Sequence, residues 1–141
     1  MSGTSVGRLM VNSGYVAVGA ALGGVLRYLA TVWIQGRAGP GFPIATLVIN
    51  VSGSLLLGIV MGLVAESTIV GPGSQLLLAT GLCGGFTTFS TFSYETFGLL
   101  RLGAYGQTAT YVGASVVLSL GAMFVGFALA RTVVQGVRGA A

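Results

Sequence analysis

The chain has 141 residues, of which 54% are hydrophobic and 6% are charged, and its formal net charge is +4. A soluble domain carries about 25% charged residues, so this composition indicates an integral membrane protein. Six arginines and two glutamates are the only charged residues, and the chain has no histidine. Without lysine, aspartate or histidine, most nucleophile–base pairs and metal-ligand sets are excluded. We therefore expect no enzyme activity, and the scattered arginines form no basic patch for nucleic acid.

Four mostly apolar segments have about the length that a membrane-spanning helix needs, which is roughly 20 residues. They are residues 15–33, 44–65, 75–102 and 108–131, and residues typical of turns separate them. The sequence therefore predicts an all-α integral membrane protein with a single four-helix domain over residues 1–141, in which the third helix is broken near its middle.

Four crossings place both termini and the loop at 66–73 on the same side of the membrane. The arginines divide almost evenly between the two sides: Arg8, Arg131 and Arg138 on one, Arg37 and Arg101 on the other. Since the bias of positive charge sets orientation, so small a bias would permit insertion both ways and an antiparallel homodimer. Insertion in one orientation is the alternative, and charge counting does not choose between the two.

The third segment contains the run GLCGGFTTFSTFS at residues 81–93, which is unusual for a helix that only fills lipid. Gly84 and Gly85 are predicted to interrupt its hydrogen bonding and to expose carbonyls such as those of Gly84 and Thr87. A cluster of carbonyls can hold a small hard cation. The alternative is an ordinary glycine-mediated helix crossing. Glycines four residues apart predict such close contacts: Gly19/Gly23, Gly58/Gly62 and Gly81/Gly85.

Polar side chains recur inside the spans, although four helices are too few to enclose a polar conduit and shield it from lipid. Thr46, Asn50 and Ser54 are four residues apart and share one face of the second helix. The Asn50 amide could replace part of an anion's hydration shell. Its alternative role is an interhelical hydrogen bond, worth about 0.6–2 kcal/mol in membranes. An oligomer of two or more copies would provide enough helices to enclose such a conduit.

Aromatic and hydroxyl side chains add further candidates for contact with an anion. Phe89 and Phe92 lie about 60° apart on one helix face, and the positive edge of a phenyl ring can face an anion. Their spacing alone favours simple packing. Ser115 and Ser119, with Tyr111 one turn before, could form a row of hydroxyl donors along the fourth helix. The alternative is that these serines bond to their own helix.

Two charged residues fall well inside the predicted spans, whereas Arg101 and Arg131 lie at span ends. Arg27 would either extend its side chain to the interface or give an anion vestibule a positive potential. Glu95 would either pair with an arginine or accept hydrogen bonds from nearby hydroxyls.

Three segments together resemble the CrcB/Fluc family of fluoride channels. They are GVLRY at 24–28, TLVINVSG at 46–53 and GGFTTFSTFSYE at 84–95. The resemblance extends in order over residues 15–131, and the run TTFSTF is its specific signature.

The resemblance implies an antiparallel, dual-topology homodimer with two pores in the plasma or inner membrane, which passively exports cytoplasmic fluoride and so gives fluoride resistance. It implies a structural sodium ion at the dimer centre, held by the backbone carbonyls of Gly84 and Thr87. It also implies a set of pore and vestibule positions. The pore positions are Asn50, Phe89, Phe92, Thr46, Tyr111, Ser115 and Ser119; Arg27 matches a vestibule position, and Glu95 matches a family glutamate.

A small proton-coupled multidrug exporter is the alternative function, because such exporters are also four-helix, dual-topology dimers. They need a carboxylate within the membrane, usually in the first helix. Here the first helix contains Arg27 and no acid, so Glu95 is the only candidate. A non-transporting scaffold would explain the glycines but would leave the TTFSTF run unexplained.

Overall fold

The computed structural model describes residues 3–140, and these residues form helices joined by short connections, with no strand among them. Three of the helices are continuous: α1 (Gly3–Ala38), α2 (Ile44–Glu66) and α6 (Tyr105–Gly139). The third span, Pro72–Arg101, is built from several pieces. All four spans are long and apolar enough to cross a bilayer. The predicted all-α, multi-pass membrane architecture is confirmed.

The third span is broken near its middle, as predicted, but not at the predicted residues. Its first half is helical and includes a stretch of π-helix, and its second half is a regular α-helix. In chain order the pieces are α3 (Pro72–Gln75), the π-helix Leu76–Cys83, α4 (Gly84–Phe86) and α5 (Phe89–Arg101). The break consists of Thr87 and Thr88, whose ψ angles of 159° and 114° are extended.

The prediction that Gly84 and Gly85 form the break is therefore wrong. Gly84 has helical angles, with φ −64° and ψ −36°. Gly85 instead permits close packing against α1, because a Cβ atom there would lie 2.6 Å from the backbone oxygen of Ala20. Gly85, but not Gly84, serves the helix crossing that the sequence left as the alternative, and the hydroxyl-bearing residues after the pair form the break.

The predicted glycine contacts between helices are confirmed. Gly19 and Gly23 of α1 lie against the backbone of the π-helix and α4, and Gly81 and Gly85 face α1 in return. Gly58 and Gly62 of α2 lie against α6, at Met123 and Phe127. Residues this small let the backbones approach closely. Most interhelical packing is accordingly of α2 on α6 and of α1 on the first half of the third span.

Helices α1 and α6 are longer than the hydrocarbon core of a bilayer is thick. At 1.5 Å per residue, the 36 residues of α1 and the 35 of α6 extend about 54 and 52 Å, against about 30 Å of hydrocarbon. The predicted spans 15–33 and 108–131 lie inside these helices. Beyond the membrane region, Arg131 pairs with Glu66 at 3.5 Å and Arg138 donates to the Glu66 carbonyl, so the ends of α2 and α6 lie on the same side.

We predict that Gly126→Ala destabilises the fold by about 1–3 kcal/mol, the usual cost of overpacking. Its Cβ would lie 2.2 Å from the backbone oxygen of Leu55, which cannot move away without shifting α2. The matched control is Gly121→Ala on the same helix, where a Cβ meets nothing within 4 Å. Thermal unfolding in detergent measures both variants. Equal unfolding midpoints would contradict the proposed α2–α6 contact.

Candidate functional site

Asn50 holds the break in the third span. Its Oδ1 accepts a hydrogen bond from the backbone N–H of Thr88 at 2.8 Å, and its Nδ2 donates to the Thr88 carbonyl at 3.1 Å. Unpaired backbone groups within a bilayer cost several kcal/mol each, and Thr88 is buried. The predicted polar face of α2 therefore supplies the partner that the extended backbone needs. One N–H of the amide remains for another acceptor.

Hydroxyl groups make two further hydrogen bonds to the backbone around the break. Thr88 is the N-cap of α5, and its Oγ1 accepts from the backbone N–H of Thr91 at 3.2 Å. Thr87 Oγ1 donates back to the Cys83 carbonyl at 2.9 Å. The sequence analysis did not assign this capping role to Thr88. The preference of helix N-caps for threonine was the signal that could have found it.

A cavity of about 280 Å³, which we call the inner cavity, opens beside the break. Its lining includes side chains from α2, α5 and α6, and no charged side chain is among them. The lining residues are Asn50, Gly53, Ser54, Leu57, Thr87, Thr88, Phe89, Phe92, Ser115, Val116 and Ser119. Five predicted pore positions are thus brought together: Asn50, Phe89, Phe92, Ser115 and Ser119.

Two side chains of the inner cavity lack a complete set of contacts within the protomer. Ser115 is 6% exposed, and its buried Oγ has no hydrogen-bond partner within residues 3–140. The bond to its own helix that the sequence left open is therefore not made. Phe89 packs against Phe92 with ring centroids 5.5 Å apart, yet 78% of Phe89 is exposed. The inner cavity thus contains an unused donor and an open aromatic wall.

Thr46, Tyr111 and Glu95 form a compact polar cluster next to the inner cavity. Thr46 Oγ1 donates to Glu95 Oε1 at 3.0 Å, and the Tyr111 hydroxyl donates to Glu95 Oε2 at 2.6 Å. Of the two roles predicted for Glu95, the structure shows the acceptor of hydroxyl hydrogen bonds. Tyr111 is fully buried, and its ring lies 5.2 Å from that of Phe92, which lines the inner cavity.

A second cavity of about 340 Å³, which we call the outer cavity, borders this cluster, because Glu95 is among its lining residues. It is formed mainly by the end of α1, the connection to α2 and the second half of the third span. The ring of Phe42 from that connection contacts Tyr111 edge-on at 5.6 Å. Gln35 stabilises this connection, because its Nε2 donates hydrogen bonds to the Gly39 and Phe42 carbonyls. Neither Phe42 nor Gln35 was predicted from the sequence as a site residue.

Two predicted positions lie apart from both cavities. Arg27 is half-buried on α1, lines neither cavity, and makes no ion pair or hydrogen bond to another residue in the part of the chain described here. Gly84 faces open space, since a Cβ there would meet nothing within 4 Å. The carbonyls of Gly84 and Thr87 would ordinarily accept from the N–H groups of Thr88 and Thr91, but those bond to side chains instead.

Sequence similarity to known proteins identifies the family of this chain. Residues 14–127 match the family described as "CrcB-like protein, Camphor Resistance (CrcB)". The chain belongs to the CrcB family. Among its CrcB relatives, proteins named "Fluoride-specific ion channel FluC" from Agrobacterium fabrum and Nitrobacter winogradskyi are each 47% identical to it. These alignments cover 86% and 84% of this chain, and 98% and 94% of the two relatives. A relative of the same name from Thermus thermophilus is 44% identical over 84% of this chain and 93% of its own length.

We predict that Asn50→Ala destabilises the protein by about 1–3 kcal/mol for the buried Thr88 N–H that loses its acceptor. Ser52→Ala is the matched control on α2, because the Ser52 hydroxyl bonds only to carbonyls of its own helix. The unfolding midpoint gives the stability, and hydrogen exchange at Thr88 reports the loss of the bond directly. If Asn50→Ala protects Thr88 as well as Ser52→Ala does, Asn50 does not hold the break.

Proposed function

We propose that the protein is a fluoride-selective channel of the cell membrane, the plasma or inner membrane of its host, through which cytoplasmic fluoride leaves passively. The name shared by its CrcB relatives supports this function. The observation that carries it is the inner cavity, where amide and hydroxyl groups stand among apolar side chains and phenyl rings without any charged side chain. Its expected consequence for the cell is fluoride resistance.

The chemistry of the cavity suits a small, strongly hydrated anion. Conduction requires binding that is favourable enough for entry and weak enough for exit. Amide and hydroxyl donors, together with the positive edges of phenyl rings, each replace a part of the hydration shell. Because no arginine lines the cavity, no single group holds the ion tightly. The unpartnered Ser115 hydroxyl is a donor that such an ion would use.

The two cavities and the cluster between them define the path within one protomer. An ion would enter the outer cavity and pass Thr46 and Tyr111, whose hydroxyls both donate to Glu95. It would then reach the inner cavity at Phe92, with Phe89, Asn50, Ser115 and Ser119 beyond. Glu95 holds the two hydroxyls in place on this path. Arg27 contributes at most a long-range potential, since it lines neither cavity.

An antiparallel homodimer of dual topology, with two pores, would complete this path. Within one protomer the break exposes Phe89 and leaves backbone carbonyls without partners. Such groups do not face lipid in membrane proteins, but are buried in protein or line a cavity. A second copy packed against the break would cover them. The nearly even division of arginines between the two sides fits insertion both ways.

A structural sodium ion fits at the centre of this dimer. The carbonyls of Gly84 and Thr87 are oxygen donors of the kind that hard cations prefer. They are free because Asn50 and the Thr88 hydroxyl take the N–H groups that would otherwise bind them. Gly84 faces outward from the protomer, so symmetry-related carbonyls from both copies would hold the ion. The ion would neutralise the carbonyl dipoles at the break.

A proton-coupled multidrug exporter is less well supported. Its essential acid would have to be Glu95, whose two carboxylate oxygens already accept hydrogen bonds from Thr46 and Tyr111. Transport of a cationic dye driven by a pH gradient, and lost in Glu95→Gln, would favour the exporter over the channel.

We predict that purified protein in liposomes releases fluoride rapidly and that Phe92→Ile lowers the rate at least tenfold, because it removes the ring edge from the inner cavity. Phe97→Ile is the matched control on α5, since Phe97 is 58% exposed and lines neither cavity. A fluoride electrode measures the efflux, and chloride-loaded liposomes test selectivity. Equal rates for the two variants would remove Phe92 from the path.

We also predict that both orientations occur in the membrane. In a Cys83→Ala background, a single cysteine in place of Pro40 would lie in the connection between α1 and α2. A membrane-impermeant thiol reagent added outside cells should label about half of the protein, and permeabilisation should expose the rest. Complete labelling, or none, from outside would contradict dual topology.

A further inference from the structure

The break creates a helix N-terminus in the middle of the membrane. Helix α5 begins at Phe89, directly after the extended residues Thr87 and Thr88. Of the N–H groups at this end, that of Thr88 donates to Asn50 and that of Thr91 donates to Thr88 Oγ1. Those of Phe89 and Ser90 have no acceptor among residues 3–140, because the chain before them is extended and forms no turn.

A second observation points to the same place. Ser115 of α6 is more than nine-tenths buried, and its hydroxyl has no partner in the described part of the chain. It lines the inner cavity together with Thr88 and Phe89, the residues where α5 begins. A buried polar group without a partner is unfavourable. The unpaired Ser115 hydroxyl and the unpaired N–H of Phe89 belong to residues of one cavity, and the unpaired N–H of Ser90 follows in the same helix turn. These groups share the need for an acceptor.

We propose that fluoride binds at the N-terminus of α5, where the backbone N–H groups of Phe89 and Ser90 and the hydroxyl of Ser115 donate to it. This site rests on the proposed function and names the groups that replace water in the inner cavity. The N–H groups at a helix N-terminus and the helix dipole favour an anion. They add a partial positive charge to a cavity that no charged side chain lines.

Asn50 would position the N-terminus of α5 at this site. By holding the Thr88 backbone extended, it fixes where α5 begins and so where its free N–H groups lie. The ring edges of Phe89 and Phe92 would then complete the shell of an ion that the backbone N–H groups also bind. The ring of Phe89 and its N–H group can be separated by experiment.

Phenyllactic acid, the α-hydroxy analogue of phenylalanine, replaces Phe89 in the test and exchanges only its N–H for an ester oxygen. We expect the initial efflux rate at low fluoride to fall about tenfold or more, as for the loss of a hydrogen bond to a charged group. The matched control places the same analogue at Phe97, within α5 and away from the inner cavity, where the rate should stay within about twofold. Equal rates in the two ester variants would overturn the proposal.

The ester also weakens the Thr88 carbonyl to which Asn50 donates, so a double-mutant cycle with Ser115→Ala separates the two effects. If both donors contact one ion, the combined loss is smaller than the product of the single losses. If the ester acts through the Asn50 contact, the two losses multiply, and the site is not the one proposed. Unmodified protein that releases no fluoride would instead reject the channel function itself.

Discussion

The structure depends on pairing the backbone where the third span is broken. A bilayer offers no water to the N–H and C=O groups of an extended segment. Asn50 meets both groups of Thr88, and the Thr88 hydroxyl caps the helix that follows. These contacts make a break at membrane depth compatible with a stable fold. Among residues 3–140, they also leave the carbonyls of Gly84 and Thr87 and the N–H groups of Phe89 and Ser90 without partners, so the two sides of the break offer opposite partial charges.

Close helix packing sets the geometry around this break. Gly85 against Ala20, and Gly126 against Leu55, bring backbones together at distances that no side chain would permit. The first half of the third span is thereby fixed to α1, while α2 is fixed to α6. The inner cavity lies beside the break, where α2, α5 and α6 meet, and the Asn50 amide in its lining is held by two hydrogen bonds to Thr88. A site of fixed, neutral dipoles can replace water around an anion without trapping it.

Much of this could be predicted from the sequence, and the exceptions have physical reasons. Apolar length gave the four spans, and four-residue spacing gave the glycine contacts. The location of the break could not be predicted from the presence of Gly84 and Gly85, because glycine serves close packing as readily as it weakens a helix. Phe42 was missed because it meets Tyr111 only through tertiary packing. The partners of Glu95 could not be predicted either. They are hydroxyls on two other helices, and tertiary packing brings them to it.

We propose that neutral groups around the broken helix conduct fluoride and discriminate against other ions. The reversal potential in planar bilayers tests it most directly, with a fluoride gradient imposed in one direction and larger, opposed gradients of chloride and protons. A fluoride-selective pore gives a current that reverses at the equilibrium potential of fluoride and stays there when the chloride or proton gradient is changed. A reversal potential that follows chloride, or that moves with pH, would contradict it.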